Sequence, residues 1–155
     1  MKKELTIAYE VRVREELTSQ ELHLEQRALE AAEVAYAPYS QFRVGAAVLL
    51  EDGTVVTGSN QENAAYPSGI CAERTALFYA GAQYPYLAPK ALVLVAFNRD
   101  GRVPYITPCG ACRQVLLEAA SRFGSFRVLF VGEVEVVELS DCRQLLPFAF
   151  DGSDL

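Results

Sequence analysis

Cys71-Ala72-Glu73 and, further along, Pro108-Cys109-Gly110-Ala111-Cys112 supply three thiols and a carboxylate that could act together. Three thiolates can hold one zinc ion at about 2.3 Å and leave its fourth position open. That open position is informative, because a structural zinc is normally closed by four protein ligands, whereas a catalytic one keeps room for water or substrate. Glu73 is not needed as a ligand and is free to carry protons. The pattern therefore points to metal-assisted hydrolysis. A closed, purely structural site that recruits Cys142 as fourth ligand is the competing arrangement. A lone Cys-x-x-Cys would fit buried apolar cysteines or a redox pair equally well; Cys-Ala-Glu upstream and the proline before the pair favour metal.

Both cysteine clusters fall where a helix is expected to begin. Unpaired N–H groups and the positive end of the helix dipole there favour thiolate over thiol. Cys109 and Cys112, at i and i+3, share one face of a first turn, so Cys71 must come from a neighbouring helix. Three thiolates on a divalent ion leave a net charge of −1, which weakens its power to acidify water. Arg74 and Arg113, each directly after a motif residue, are placed to donate hydrogen bonds to ligand sulfurs and offset that charge. His23 is the only histidine and reads as a surface residue of the first helix, while Cys142, between Asp141 and Arg143, reads as a buried cysteine.

The elements that must hold these residues follow from periodicity. Thr18 to Tyr36 reads as an amphipathic helix with Leu22, Leu24, Leu29, Ala32 and Ala35 on its apolar stripe, stopped before Pro38. Phe42 to Leu50 and Thr54 to Gly58, around Glu51-Asp52-Gly53, read as a hairpin. Cys71 to Ala82 is helical, Ala91 to Phe97 a buried strand, and Cys109 to about Arg122 a helix. Phe126 to Val131 and Glu133 to Leu139 pair antiparallel, since Gly132 is too short a connection for a parallel crossover. Five strands and three helices, with a short tail helix, imply an α/β fold: a mixed five-stranded sheet with helices on both faces, one domain spanning 1–155.

Composition narrows the function. Fourteen basic against twenty acidic side chains give a net charge of −6, the wrong sign for neutralising phosphates, so nucleic acid is not expected as a partner. No run approaches the roughly 20 apolar residues of a membrane span, and Glu10, Arg12 and Arg14 interrupt any signal-like stretch. A cytoplasmic protein with reduced thiols, independent of any membrane, is the expectation.

Taken together these residues resemble the zinc-dependent cytidine deaminase family in its small homotetrameric form, where a Cys replaces the His ligand of related deaminases. Besides the metal motifs, Tyr39-Ser40-Gln41-Phe42-Arg43-Val44-Gly45-Ala46-Ala47, Asn60-Gln61-Glu62-Asn63-Ala64-Ala65-Tyr66 and Leu146-Pro147-Phe148-Ala149-Phe150 carry the likeness over nearly the whole chain. The resemblance implies a three-layer α/β/α fold and one zinc ion on Cys71, Cys109 and Cys112, which generates the hydroxide that attacks C4 of cytosine. Glu73 would shuttle protons to ring N3 and the departing amine. Asn60 and Glu62 match the pair that binds ribose, Phe42 the aromatic against the pyrimidine, and the backbones of Ala72 and Thr107 the readers of the base's O2 and amino group. Phe150 matches a tail aromatic that reaches into a neighbouring subunit. Arg43 departs from the family's smaller or proline residue, and Pro67-Ser68-Gly69 fills a variable loop. Deaminases of nucleotides, polynucleotides, guanine or blasticidin share the metal motif, so the nucleoside assignment, with pyrimidine salvage as its setting, rests on Asn60, Glu62 and Phe42.

Overall fold

The computed structural model describes residues 1–155, the side chain of Asp154 apart. The elements are β1 (Glu10–Val13), α1 (Ser19–Glu33), β2 (Arg43–Leu50), β3 (Val55–Ser59), α2 (Ala72–Gln83), β4 (Pro89–Asn98), β5 (Gly101–Arg102), α3 (Gly110–Phe123), β6 (Arg127–Val131) and β7 (Glu135–Leu139), followed by a 3-10 turn at Cys142–Leu145. The sheet runs β1-β7-β6-β4-β2-β3, with β5 folded back on β4. β4 and β6 pair parallel; the other pairings are antiparallel.

The mixed sheet and three helices agree with the sequence, but there are seven strands and not five. β5 is only two residues long, and β1 alternates charge with valine over four residues, so neither carries a periodic signal long enough to read. The hairpin β2–β3 and the antiparallel pair β6–β7 lie where the turn residues placed them.

The sheet separates two apolar layers. On one face Leu24, Ala28 and Ala32 of α1 pack against Ala47, Leu49, Val93, Val95 and Leu129. On the other, Ala72, Ala76 and Leu77 of α2 and Leu116 and Ala120 of α3 pack against Ala46, Val48, Leu92, Leu94 and Phe130. Two glycines set how near the helices come. A Cβ on Gly45 would lie 1.8 Å from Ala28 O, and one on Gly58 would lie 2.4 Å from Ala72 O, so any side chain there would push α1 or the first turn of α2 off the sheet.

Helix α1 departs from the predicted stripe. Leu22 is 41% exposed, while Glu21 and Glu25 are buried. Arginines surround both carboxylates. Glu21 accepts from Arg12 at 3.0 Å and Arg127 at 2.5 Å, and Glu25 from Arg14 at 2.8 Å and Arg102 at 2.6 Å. Glu138 bridges Arg12 and Arg127 from β7. Glu21 also closes a capping box with Thr18, its Oε2 accepting from the Thr18 N–H at 2.8 Å. A helix pattern read for apolar residues misses this, because the second half of each ion pair lies outside the helix, on β1, β5, β6 or the turn after β1.

Burial alone would raise the Glu21 pKa; the bonds from Arg12, Thr18 and Arg127 outweigh it and hold the group at about 2, against 4.5 in the open chain. A carboxylate with a lowered folded pKa stabilises above its unfolded value, and that stability is lost as the pH falls through the folded one. Glu21→Gln should therefore cost about 3 kcal/mol at pH 7, by urea denaturation, and less than half of that at pH 3. An equal loss at both pH values would show that packing, not charge, is what Glu21 contributes.

Candidate metal centre and active-site cleft

Strands β3, β4 and β6 run in the same direction, and α2 and α3 each begin beyond the C-terminal end of β3 or β4, at the same end of the sheet. Cys71 is the N-cap of α2; Cys109 is the N-cap of α3, with Cys112 in the first turn above it. The helix starts predicted from the sequence are therefore what brings the sulfurs together. Cys71 Sγ lies 3.7 Å from Cys109 Sγ, which lies 3.5 Å from Cys112 Sγ. All three sulfurs fall within 4.8 Å of one another. Tetrahedral ligands at about 2.3 Å from zinc stand about 3.8 Å apart, so the triad has the spacing of three corners of a zinc tetrahedron. The residues present fit one zinc ion.

The fourth corner is not a cysteine. Cys142 is buried in the tail, directed at the Leu116 carbonyl 3.8 Å away and at Ser125, and lies outside the cluster. The closed four-cysteine site is thereby excluded.

Electrostatics prepare the ligands. The Cys71 thiol is drawn down to about 5 by hydrogen bonding from Cys112, with Arg74 and Cys109 adding to it against the cost of burial. Cys112 is pushed up by the same contact and by its own burial. Arg74 Nη2 donates to Cys71 Sγ at 3.8 Å, as expected from the sequence. Arg113 does otherwise. Its Nε donates to Pro108 O at 2.9 Å and its Nη1 to Leu145 O at 3.0 Å, so it ties the loop before Cys109 to the tail. The helical path carries position 113 one step past the sulfur-bearing face, where carbonyl oxygens are the nearer acceptors.

Glu73 stands in the first turn of α2 at 4% exposure. Burial, joined by the charge of Cys71, pushes its carboxyl up to about 7, while its own N–H, Cys112 and Arg74 pull back. It can thus hold or release a proton near neutral pH.

A cleft of about 440 Å³ opens beside Cys71 and Arg74 and contains Asn60, Glu62 and Ser40. Its wall is a backbone lattice. Gln61 N–H donates to Ile70 O and Ile70 N–H to Gln61 O, both at 2.9 Å, and Glu62 N–H donates to Tyr36 O at 2.8 Å. Residues 60–62 are therefore clamped between the end of α1 and the segment leading into Cys71. Asn60 also holds the start of β2, accepting from Val44 N–H at 2.7 Å and donating to Phe42 O at 2.9 Å. Phe42 is half-buried, Ala72 fully buried and Thr107 exposed just before Pro108. None of those three lines the cleft, nor does Phe150, which is 69% exposed with its carbonyl accepting from Gln114 at 2.9 Å. Arg43 stacks over Phe97, 5.3 Å from its ring centre.

The family model described as the cytidine and deoxycytidylate deaminase zinc-binding region matches residues 18–126, from the cap of α1 past the end of α3. The chain belongs to this family. A cytidine deaminase of Sporosarcina psychrophila is 46% identical over 125 residues, covering 81% of this chain and 87% of the relative. One from Halalkalibacterium halodurans is 41% identical over 133 residues, covering 83% and 92%. The crystal structure of cytidine deaminase from Burkholderia pseudomallei, 41% identical, superposes with a TM-score of 0.70 over 86% of this chain and all of that one. Membership makes zinc the metal for the sulfur triad. Among the described residues no helix is long and apolar enough to cross a membrane.

Metal analysis tests the ligand set. Cys142→Ala should retain one zinc per chain at a stability cost of about 1 kcal/mol for the small cavity, whereas Cys109→Ala should lose the metal. Zinc lost from Cys142→Ala would contradict the three-sulfur site.

Proposed function

We propose that the protein hydrolyses cytidine and deoxycytidine to uridine and deoxyuridine, releasing ammonia. The carrying observation is the sulfur triad beside the buried Glu73 carboxyl, next to a cleft of nucleoside size. Relatives named cytidine deaminase, at 41% and 46% identity, support the same substrate.

Cys71, Cys109 and Cys112 would hold the zinc, whose bound form supplies Lewis-acid activation of the water that hydrolysis consumes. Glu73 accepts a proton from that water and delivers it to ring N3 as oxygen adds at C4. It then moves the proton of the new C4 hydroxyl to the amine, which leaves as ammonia when the C4–N bond breaks and the C4 carbonyl forms. Burial raises this carboxyl above its usual range, which suits it to accept a proton and to give it back. Arg74 balances the negative charge of the thiolates at Cys71. Asn60 and Glu62 bind the sugar hydroxyls, Phe42 packs on the pyrimidine, and the backbones of Ala72 and Thr107 read its polar edge.

Phe150 serves a neighbouring subunit in this reading, within a homotetramer whose protomers are each one domain of residues 1–155. Its exposure in the single chain leaves it free to do so. The acidic balance suits a neutral nucleoside substrate and a cytoplasmic role in pyrimidine salvage, without nucleic acid or membrane as partner.

Cytidine mixed with the zinc-loaded protein should lose ultraviolet absorbance as uridine forms. Glu73→Gln should keep its zinc and lower kcat by about a thousandfold. Zinc lost from that variant would make Glu73 a ligand or a structural support, and undiminished turnover would remove it from the proton path.

A further inference from the structure

The Glu62 carboxylate has most of its acceptor capacity filled before any substrate arrives. Its Oε2 accepts from the Tyr39 N–H at 2.8 Å and the Ser40 N–H at 3.3 Å. Its Oε1 accepts from the Ser40 hydroxyl. A carboxylate offers about four lone-pair sites, two on each oxygen, so Oε2 is saturated and one site on Oε1 remains. The Ser40 hydroxyl is itself oriented, because its oxygen accepts from the Phe42 N–H at 3.0 Å and its proton is thereby directed to Glu62. Gln41, between Ser40 and Phe42, adopts φ +55°, a left-handed conformation that costs a non-glycine residue energy. Ser40 and Glu62 line the same cleft.

We propose that Ser40 is a positioning residue for sugar recognition, relaying the Phe42 backbone N–H to Glu62 and presenting the single free lone pair of Oε1 to a ring hydroxyl of the nucleoside. This rests on the reading of Glu62 as the sugar-binding carboxylate. The relay joins the loop that carries the base-packing aromatic to the group that reads the sugar, so base and sugar subsites keep a fixed separation. Hydrogen bonds in such a chain polarise one another and strengthen when substrate covers the cleft and excludes water. The hydroxyl bond is also the first cause of the carboxyl being held below its usual range, which keeps Glu62 an acceptor. Asn60 acts on the same loop from the other side, through Phe42 O and Val44 N–H, so its amide has one N–H left for a ligand.

The test compares two ligands on three variants, with cytidine as substrate and 2′,3′-dideoxycytidine, which lacks both ring hydroxyls, as competitor. Ser40→Ala should raise KM for cytidine about fivefold and leave the inhibition constant of the dideoxynucleoside, kcat and the melting temperature near their starting values. Ser40→Thr, which restores a hydroxyl, should recover most of the loss. Equal weakening of both ligands would mean that Ser40 acts on the loop or the base, and would overturn the proposal. If Glu62→Gln raises KM for cytidine and Ser40→Ala does not, the relay is wrong while the role of Glu62 stands. If Glu62→Gln leaves KM unchanged, the reading of Glu62 fails and the relay fails with it.

Discussion

Three sulfurs from two helices must meet within bonding distance of one ion, and much of the fold can be understood from that constraint. Thiolates held 3.5 and 3.7 Å apart repel one another unless a cation or donors stand among them. The arrangement needs helix starts side by side at one end of the sheet, because only there do free N–H groups and the helix dipole favour negative charge. Co-directional β3 and β4 provide those exits, and parallel pairing of β4 with β6 requires a crossover, which is α3 itself. Gly58 then lets α2 descend onto β3 until Ala72 O would be 2.4 Å from any added Cβ, which fixes the height of Cys71. A methyl group at that position would reach the metal centre through the backbone, without touching a ligand.

The chain solves charge burial in two ways on the two faces of the sheet. Beneath α1, Glu21 and Glu25 are each matched by two arginines from separate segments of the chain. At the start of α2, Glu73 has no such match; its carboxyl is lifted toward neutrality, and Arg74 spends its charge on a sulfur. Similar groups thus become structural or reactive according to whether a cation is supplied at close range. Fully pairing Glu73 would remove the raised pKa on which its proposed proton transfer rests.

What the sequence revealed is what is local. Cys71, Cys109 and Cys112 could be assigned to helix starts because caps and i, i+3 spacing are properties of a few neighbouring residues. The hairpin around Gly53 was legible for the same reason. Long-range partnerships were not: the burial of Glu21 depends on Arg127, more than a hundred positions away, and β1 exists because β7 offers it an edge. Adjacency to Cys112 suggests a sulfur partner for Arg113, yet one step along a helix turns a side chain by about 100°, and Arg113 donates to carbonyls instead. Asn60 and Glu62 were recognised by likeness, but their ties to Phe42, Val44, Tyr39 and Ser40 become visible only when the cleft wall is assembled.

X-ray absorption at the zinc edge of the ligand-free, metal-loaded protein addresses the central claim directly. Three sulfur scatterers at about 2.3 Å and one oxygen at about 2.0 Å are the predicted shell. Four sulfurs, with no oxygen, would contradict an open coordination position and with it the hydrolytic account.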